Sequence, residues 1–197
     1  MKKSQRLFQI VISLFIFLSL STTVSAREIA DVKLDEKITV ENQSLQLNGA
    51  GIRTKFFFKI YVGALYLPEK QNEAVKVLSA TSANRVVMHF LYDEVEKKKL
   101  TDAWVEGFEE NVDEKLFAAV KDRLQQFNAM FSDLHKGEVV LLDFIPQQGT
   151  RVTIKGEVKG NIEGADFNRA LLSVWLGEEP VTEELKDAML GIEEGSD

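Results

Sequence analysis

The sequence predicts an α+β domain in which helices lie on an antiparallel sheet. Three observations predict it. Apolar and polar residues alternate at period two in short runs from Val32 to Leu47, and the strand pattern resumes over Val139 to Ile145 and Arg151 to Val158. Two apolar stripes at helical spacing fill the interval from Leu100 to Phe131, and two further helical patterns follow Gly164. Strands, then paired helices, then strands and helices again need one flat surface and amphipathic faces to cover it.

Val32 and Leu34, Ile38 and Val40, and Leu45 and Leu47 alternate with polar neighbours, so the first segment reads as short strands. Residues 56 to 67 read as one long strand, with Phe56, Phe58 and Ile60 on one face and Phe57, Tyr61, Gly63 and Leu65 largely on the other. On this reading the run Phe56-Phe57-Phe58 is core, Gly63 marks a bend, and Pro68 ends the strand. A short helix over 73–78, a loop over 79–84 and a strand over 85–92 follow. Asp93 with Glu96 has the form of a capping box for a helix carrying Leu100, Trp104 and Phe108. Asn111 to Asp113 breaks the pattern. A second helix carries Leu116, Val120, Leu124, Phe127 and Phe131 and ends near Lys136-Gly137. Residues 139–145 and 151–158 form a hairpin across Pro146-Gln147-Gln148-Gly149. Asp166 caps a helix that runs through Trp175 to Gly177, and Thr182 caps the last one, through Leu190.

The N-terminus has the form of a leader. Lys2, Lys3 and Arg6 precede an apolar stretch from Leu7 to Leu20, and Val24-Ser25-Ala26 offers small residues for cleavage. That stretch spans roughly 21 Å as a helix, short of the ~30 Å hydrocarbon core. The expectation is a signal peptide over 1–26, a domain over 27–191 and a polar tail over 192–197. The mature chain is then expected to be exported, periplasmic and without an integral membrane span; a leader retained as an anchor is the open alternative. Removing the three basic residues of the leader takes the formal charge from −7 to −10, which disfavours nucleic acid as a partner. There is no cysteine, so disulfides, thiol catalysis and thiolate metal sites are excluded.

Few motifs carry chemistry. Gly49-Ala50-Gly51 lacks the third glycine of a dinucleotide fingerprint, and a strand follows where a helix should. The glycines permit either a positive φ or a close backbone approach. His89 and His135 lie far apart without ligand spacing, so no metal is expected. Arg53 heads the apolar run. A buried, unpaired guanidinium costs roughly 3–5 kcal/mol. Three placements therefore stay open: exposed, paired with a carboxylate such as Asp31 or Asp35, or aimed at a cavity that receives an anion.

"GAGIR", "KFFFKIYVGALYL" and the late "DFNRALLSVWLGEEPV" together resemble the chalcone isomerase-like family, in its short bacterial exported branch. The resemblance implies an open-faced β-sandwich: a large antiparallel sheet, helices packed on one face, and a ligand cleft near the other. In plant chalcone isomerases the arginine supports an oxyanion, with a threonine, a tyrosine and an asparagine, and no cofactor takes part. In related fatty-acid-binding proteins it grips a carboxylate beside a tyrosine hydroxyl. Arg53 matches that arginine. The threonine position falls on Tyr61, the tyrosine position within Val95 to Lys98, the asparagine near Ala103-Trp104, and a late polar position on Asn168.

The resemblance thus implies a non-catalytic module that binds a small amphipathic carboxylate such as a fatty acid. Arg53 takes the head group, Tyr61 and Asn168 supply polar contacts, and Phe57 encloses the tail. Two alternatives stay open: a cofactor-independent isomerase or intramolecular lyase, and a structural or partner-binding domain. Arg53 and Tyr61 would lie roughly 26 Å apart on a straight strand. They meet only if the chain turns near Thr54-Lys55.

Overall fold

The computed structural model describes residues 26–192; the leader, apart from Ala26, and the tail, apart from Ile192, lie outside the described residues. The chain forms β1 (Ala26–Ile29), β2 (Val32–Asp35), β3 (Lys37–Val40), β4 (Gln43–Lys55), β5 (Phe58–Leu67), α1 (Ala74–Ser79), β6 (Asn84–Phe90) and β7 (Glu94–Val95). It continues through α2 (Lys97–Asn111), α3 (Glu114–Ala129), β8 (Leu134–His135), β9 (Val139–Ile145), β10 (Gly149–Ile154), β11 (Glu157–Ile162), α4 (Ala165–Leu176) and α5 (Glu183–Leu190). Seven strands make one sheet in the order β11-β10-β9-β6-β5-β4-β3, every neighbouring pair antiparallel. This is the predicted α+β architecture, with the helices on one face.

Alternation along the strands separates two cores. Tyr61, Leu65, Met88, Phe90, Leu142 and Val152 point to the helices and pack with Trp104, Phe108, Phe127, Phe167 and Trp175. Val62, Ala64, Tyr66, Leu45 and Leu47 point the other way, where Val32 and Leu34 of the β1–β2 hairpin cover them. The face expected to hold the cleft is therefore occupied by the N-terminal hairpin.

Two bulges on β4 and β5 set which residues face the helices. Leu47 pairs with Tyr66 and Gly49 with Leu65, leaving Asn48 as the extra residue. Its amide donates to the carbonyls of Gln71 and Met189 at 2.9 and 2.8 Å and accepts from Gln71 N at 2.7 Å. The parity change leaves Gly49, Gly51 and Arg53 on the helix face. A Cβ on Gly49 would stand 2.1 Å from the carbonyl oxygen of Ala188, and one on Gly51 would stand 2.5 Å from the Ala188 methyl. Of the two uses open to these glycines, the close approach is the one realised: they let α5 lie on β4. Gly49→Ala is expected to cost about 1–3 kcal/mol through overpacking, read as a lower denaturant midpoint at unchanged slope.

Several boundaries differ from the sequence expectation. Phe56 and Phe57 form a two-residue turn rather than strand, with Phe56 at φ +57. Their side chains are 83% and 97% exposed, and Phe58 is 54% exposed, so the phenylalanine run is not core. Asp93 does not cap α2; the first N–H of that helix, at Lys97, is taken by Asp133 Oδ1 at 2.7 Å. The second helix stops at Ala129, because residues 134–135 leave it to pair with β7. The segment 151–158 is two strands, since Lys155 and Gly156 turn at positive φ. Gly164, not Asp166, stands at the N-cap of α4, and Asp166 pairs instead with Arg123. Asp113 and Thr182 cap α3 and α5 through Leu116 N and Leu185 N.

Candidate functional site

The turn at Phe56-Phe57 folds β4 back on β5, and Arg53 and Tyr61 become direct cross-strand partners. The chain turns two residues beyond the expected point and brings the two residues together. Ile60 is the extra residue of the second bulge, between the Arg53–Tyr61 and Thr54–Lys59 pairs. It packs against the helix-side core together with Tyr61.

Tyr61 is buried and Arg53 half-buried. The Arg53 guanidinium carbon lies 5.6 Å from the centroid of the Tyr61 ring, within cation–π range. Arg53 takes part in none of the ion pairs among the described residues. Its Nε is buried with no hydrogen-bond partner. Asp31 and Asp35 do not pair with it. Trp175 Nε1 on α4 donates to the Tyr61 hydroxyl oxygen at 2.9 Å, so the phenol keeps its own proton to give. Burial pushes the Tyr61 pKa up, against the opposing influence of the Arg53 charge.

Two hollows flank Arg53 on the helix face. The first, about 140 Å³, has Arg53, Lys55, Lys99 and Glu94 as its charged wall and Ile60, Tyr61, Phe90, Val95 and Leu100 among its apolar wall. The second, about 210 Å³, is lined by Arg53 and Lys55 but also by Glu106, Glu110 and Glu179. An anion is favoured in the first hollow, where cations outnumber carboxylates. In the second it would meet three carboxylates. The helix α2 forms the wall between them through Ala103, which lines both.

The other expected site residues fall elsewhere. Phe57 stands at the hairpin tip and lines neither hollow, so it encloses no tail. Asn168 is buried on α4, seven residues before Trp175 and so roughly 10 Å away along the helix axis, and lines neither hollow. The positions that the resemblance assigns to a tyrosine and an asparagine do reach the first hollow, as Val95 and Ala103. His89 projects to the opposite face of the sheet from Arg53, with Val87, and cannot act as a base beside it. Sequence reasoning missed Trp175, Lys99 and Leu100 as parts of the site. Only Trp175 carried a signal, as an indole inside the late motif.

A family model described as chalcone isomerase-like matches residues 26–191. Among solved structures, a fatty-acid binding protein of Arabidopsis thaliana superposes with a TM-score of 0.65 at 15% sequence identity, covering 84% of this chain and 96% of its own. No curated protein sequence matches the chain.

Proposed function

The chain belongs to the chalcone isomerase-like family, and from that premise we propose that it binds an amphipathic carboxylate, a fatty acid or similar, without transforming it. One observation carries the proposal: a half-buried guanidinium that pairs with no carboxylate among the described residues and whose Nε is unsatisfied, beside a buried phenol, at the edge of a hollow with an apolar wall. A carboxylate supplies what Arg53 lacks, a charge-assisted pair of hydrogen bonds. Tyr61 adds a donor, because its oxygen already accepts from Trp175. The apolar Val95 and Ala103, where plant isomerases place polar groups, favour binding over an isomerase role. The similar fold of a protein named for fatty-acid binding supports the same ligand class. The leader pattern adds an exported location to the proposal, testable by identifying the mature N-terminus in fractionated cells.

The first hollow limits the ligand. At ~30 Å³ per water-sized group, 140 Å³ admits about five groups. Affinity for straight-chain acids is expected to rise about fourfold per added carbon, from ~0.8 kcal/mol per methylene, through hexanoate, and then to flatten. Calorimetric titration of butyrate to dodecanoate measures this. Native mass spectrometry of the purified protein tests the proposal itself: a bound carboxylic acid, or one-to-one uptake of added hexanoate, is expected. Failure of every acid in the series to bind contradicts it.

The pH dependence has a definite sign. An ordinary carboxylic acid loses its charge as pH falls through about 4–5, so head-group binding is lost there. The phenol of Tyr61, its pKa raised by burial, stays a donor above the ordinary value near 10. Affinity is therefore expected to be constant from about pH 6 to pH 9, read by the same titration.

A further inference from the structure

We propose that the tip of the β4–β5 hairpin inserts into the interfacial layer of a lipid bilayer that carries anionic headgroups. The tip is Lys55-Phe56-Phe57-Phe58-Lys59, and its three phenylalanines are the most exposed aromatic side chains among the described residues. Single exposed apolar residues need no explanation, but a contiguous aromatic cluster marks an interaction surface. Phe56 occupies a positive-φ turn position that glycine or asparagine ordinarily takes. A bulky residue is held there in an unfavourable conformation without gaining burial in its own chain.

The shape and charge of the tip select the occupant. A two-residue turn is convex and narrow, and it cannot by itself supply the area of a standard protein interface. A bilayer surface accepts a protruding aromatic wedge, with rings at headgroup depth and lysine ammoniums reaching the phosphates. Lys55 and Lys59 bracket the wedge, and neither takes part in an ion pair among the described residues. They place two free cations on a chain whose net charge is −7. Acidic headgroups meet that local charge, whereas the rest of an acidic surface is repelled.

The tip also lies beside the mouth of the first hollow. Phe58 meets Tyr92 edge to face at 5.4 Å between ring centroids, and Tyr92 and Lys55 both line the hollow. Docking would set that mouth against the layer in which amphipathic acids concentrate. The docking itself does not depend on the hollow being occupied.

The chain has no cysteine, so one introduced thiol carries one label. Protein beginning at Arg27, the expected mature N-terminus, and bearing an environment-sensitive fluorophore at Phe57→Cys is compared with the same protein labelled at Glu157→Cys, on the far edge strand. Both are mixed with phosphatidylcholine vesicles with or without phosphatidylglycerol and with nitroxide-bearing lipids. The tip label is expected to shift to the blue and be quenched when phosphatidylglycerol is present, and the edge label to do neither. Lys55→Glu with Lys59→Glu is expected to raise the vesicle concentration needed by about tenfold or more. Phe56→Ser with Phe58→Ser, at exposed positions, is expected to do the same. A tip label that stays in water on vesicles that hold the protein would overturn the proposal. A blue shift that grows with protein concentration in the absence of vesicles would assign the tip to a second copy of the chain. Equal responses on neutral and anionic vesicles would overturn the charge assignment.

Discussion

Replacing Arg85 with alanine is expected to destabilise the fold by about 3 kcal/mol, the lower end of the ~3–5 kcal/mol cost of breaking a buried ion pair. Asp143 sits on the interior strand β9 with its side chain 2% exposed. Arg85 on β6 and Arg151 on β10 are its direct cross-strand neighbours. Arg85 donates from Nε and Nη2 to the two carboxylate oxygens at 2.5 and 2.8 Å. Arg151 lies at 3.4 Å and turns its other Nη to Glu41. Without Arg85 the carboxylate keeps only the longer contact, which is why the loss falls short of a fully abandoned charge. At roughly 2–4 °C per kcal/mol for a domain of this size, the melting temperature falls by roughly 6–12 °C. Exchanging both partners, Arg85→Met with Asp143→Leu, removes the stranded charge and is expected to recover most of the loss. Denaturant unfolding of the wild type, Arg85→Ala and the double mutant measures the loss and its recovery.

The second large effect is on binding. Arg53→Ala is expected to weaken carboxylate affinity roughly ten- to hundredfold, from the ~1.5–3 kcal/mol of hydrogen bonds to a charged group. It is expected to cost about 1 kcal/mol of stability or less, from the lost cation–π contact with Tyr61, because Arg53 takes part in no ion pair among the described residues and its buried Nε is already unsatisfied. The two mutants therefore separate the roles of two arginines on opposite faces of one sheet. Arg85 holds the fold and leaves the hollow untouched. Arg53, on the proposed function, serves the ligand. Arg53→Lys keeps the charge but loses the planar fork, so it is expected to recover only part of the affinity.

Much of the architecture was legible because burial imposes a period. Val139–Ile145 is a nearly unbroken apolar run, as a strand packed on both faces must be, and α2 and α3 carry their apolar residues at helical spacing. Failures cluster where a turn looks like a strand. Phe56-Phe57 continues an apolar run, and hydrophobicity alone cannot distinguish a buried aromatic from one displayed on a turn. Val158 continues the alternation past Gly156 although its side chain faces solvent. The cap of α2 comes from Asp133, thirty-six residues along the chain, which no local motif reveals. At the site, Arg53 and Tyr61 were legible as a pair that needed a turn between them. The bulge at Asn48 decides which face Arg53 takes, and neither composition nor spacing marks it. Asn168 was placed by motif order and Phe57 by reading the aromatic run as strand, and neither says where along a helix or hairpin a side chain meets the hollow.

The head-group claim is tested most directly by a thermodynamic cycle between protein and ligand. Hexanoate and hexanamide, which differ in charge but hardly in shape, are titrated into the wild type and into Arg53→Ala. Wild-type protein is predicted to prefer the acid by about tenfold or more, and that preference is predicted to vanish in the mutant. An acid-to-amide ratio that is the same in both proteins would contradict the account, since the carboxylate would then be held by something other than Arg53.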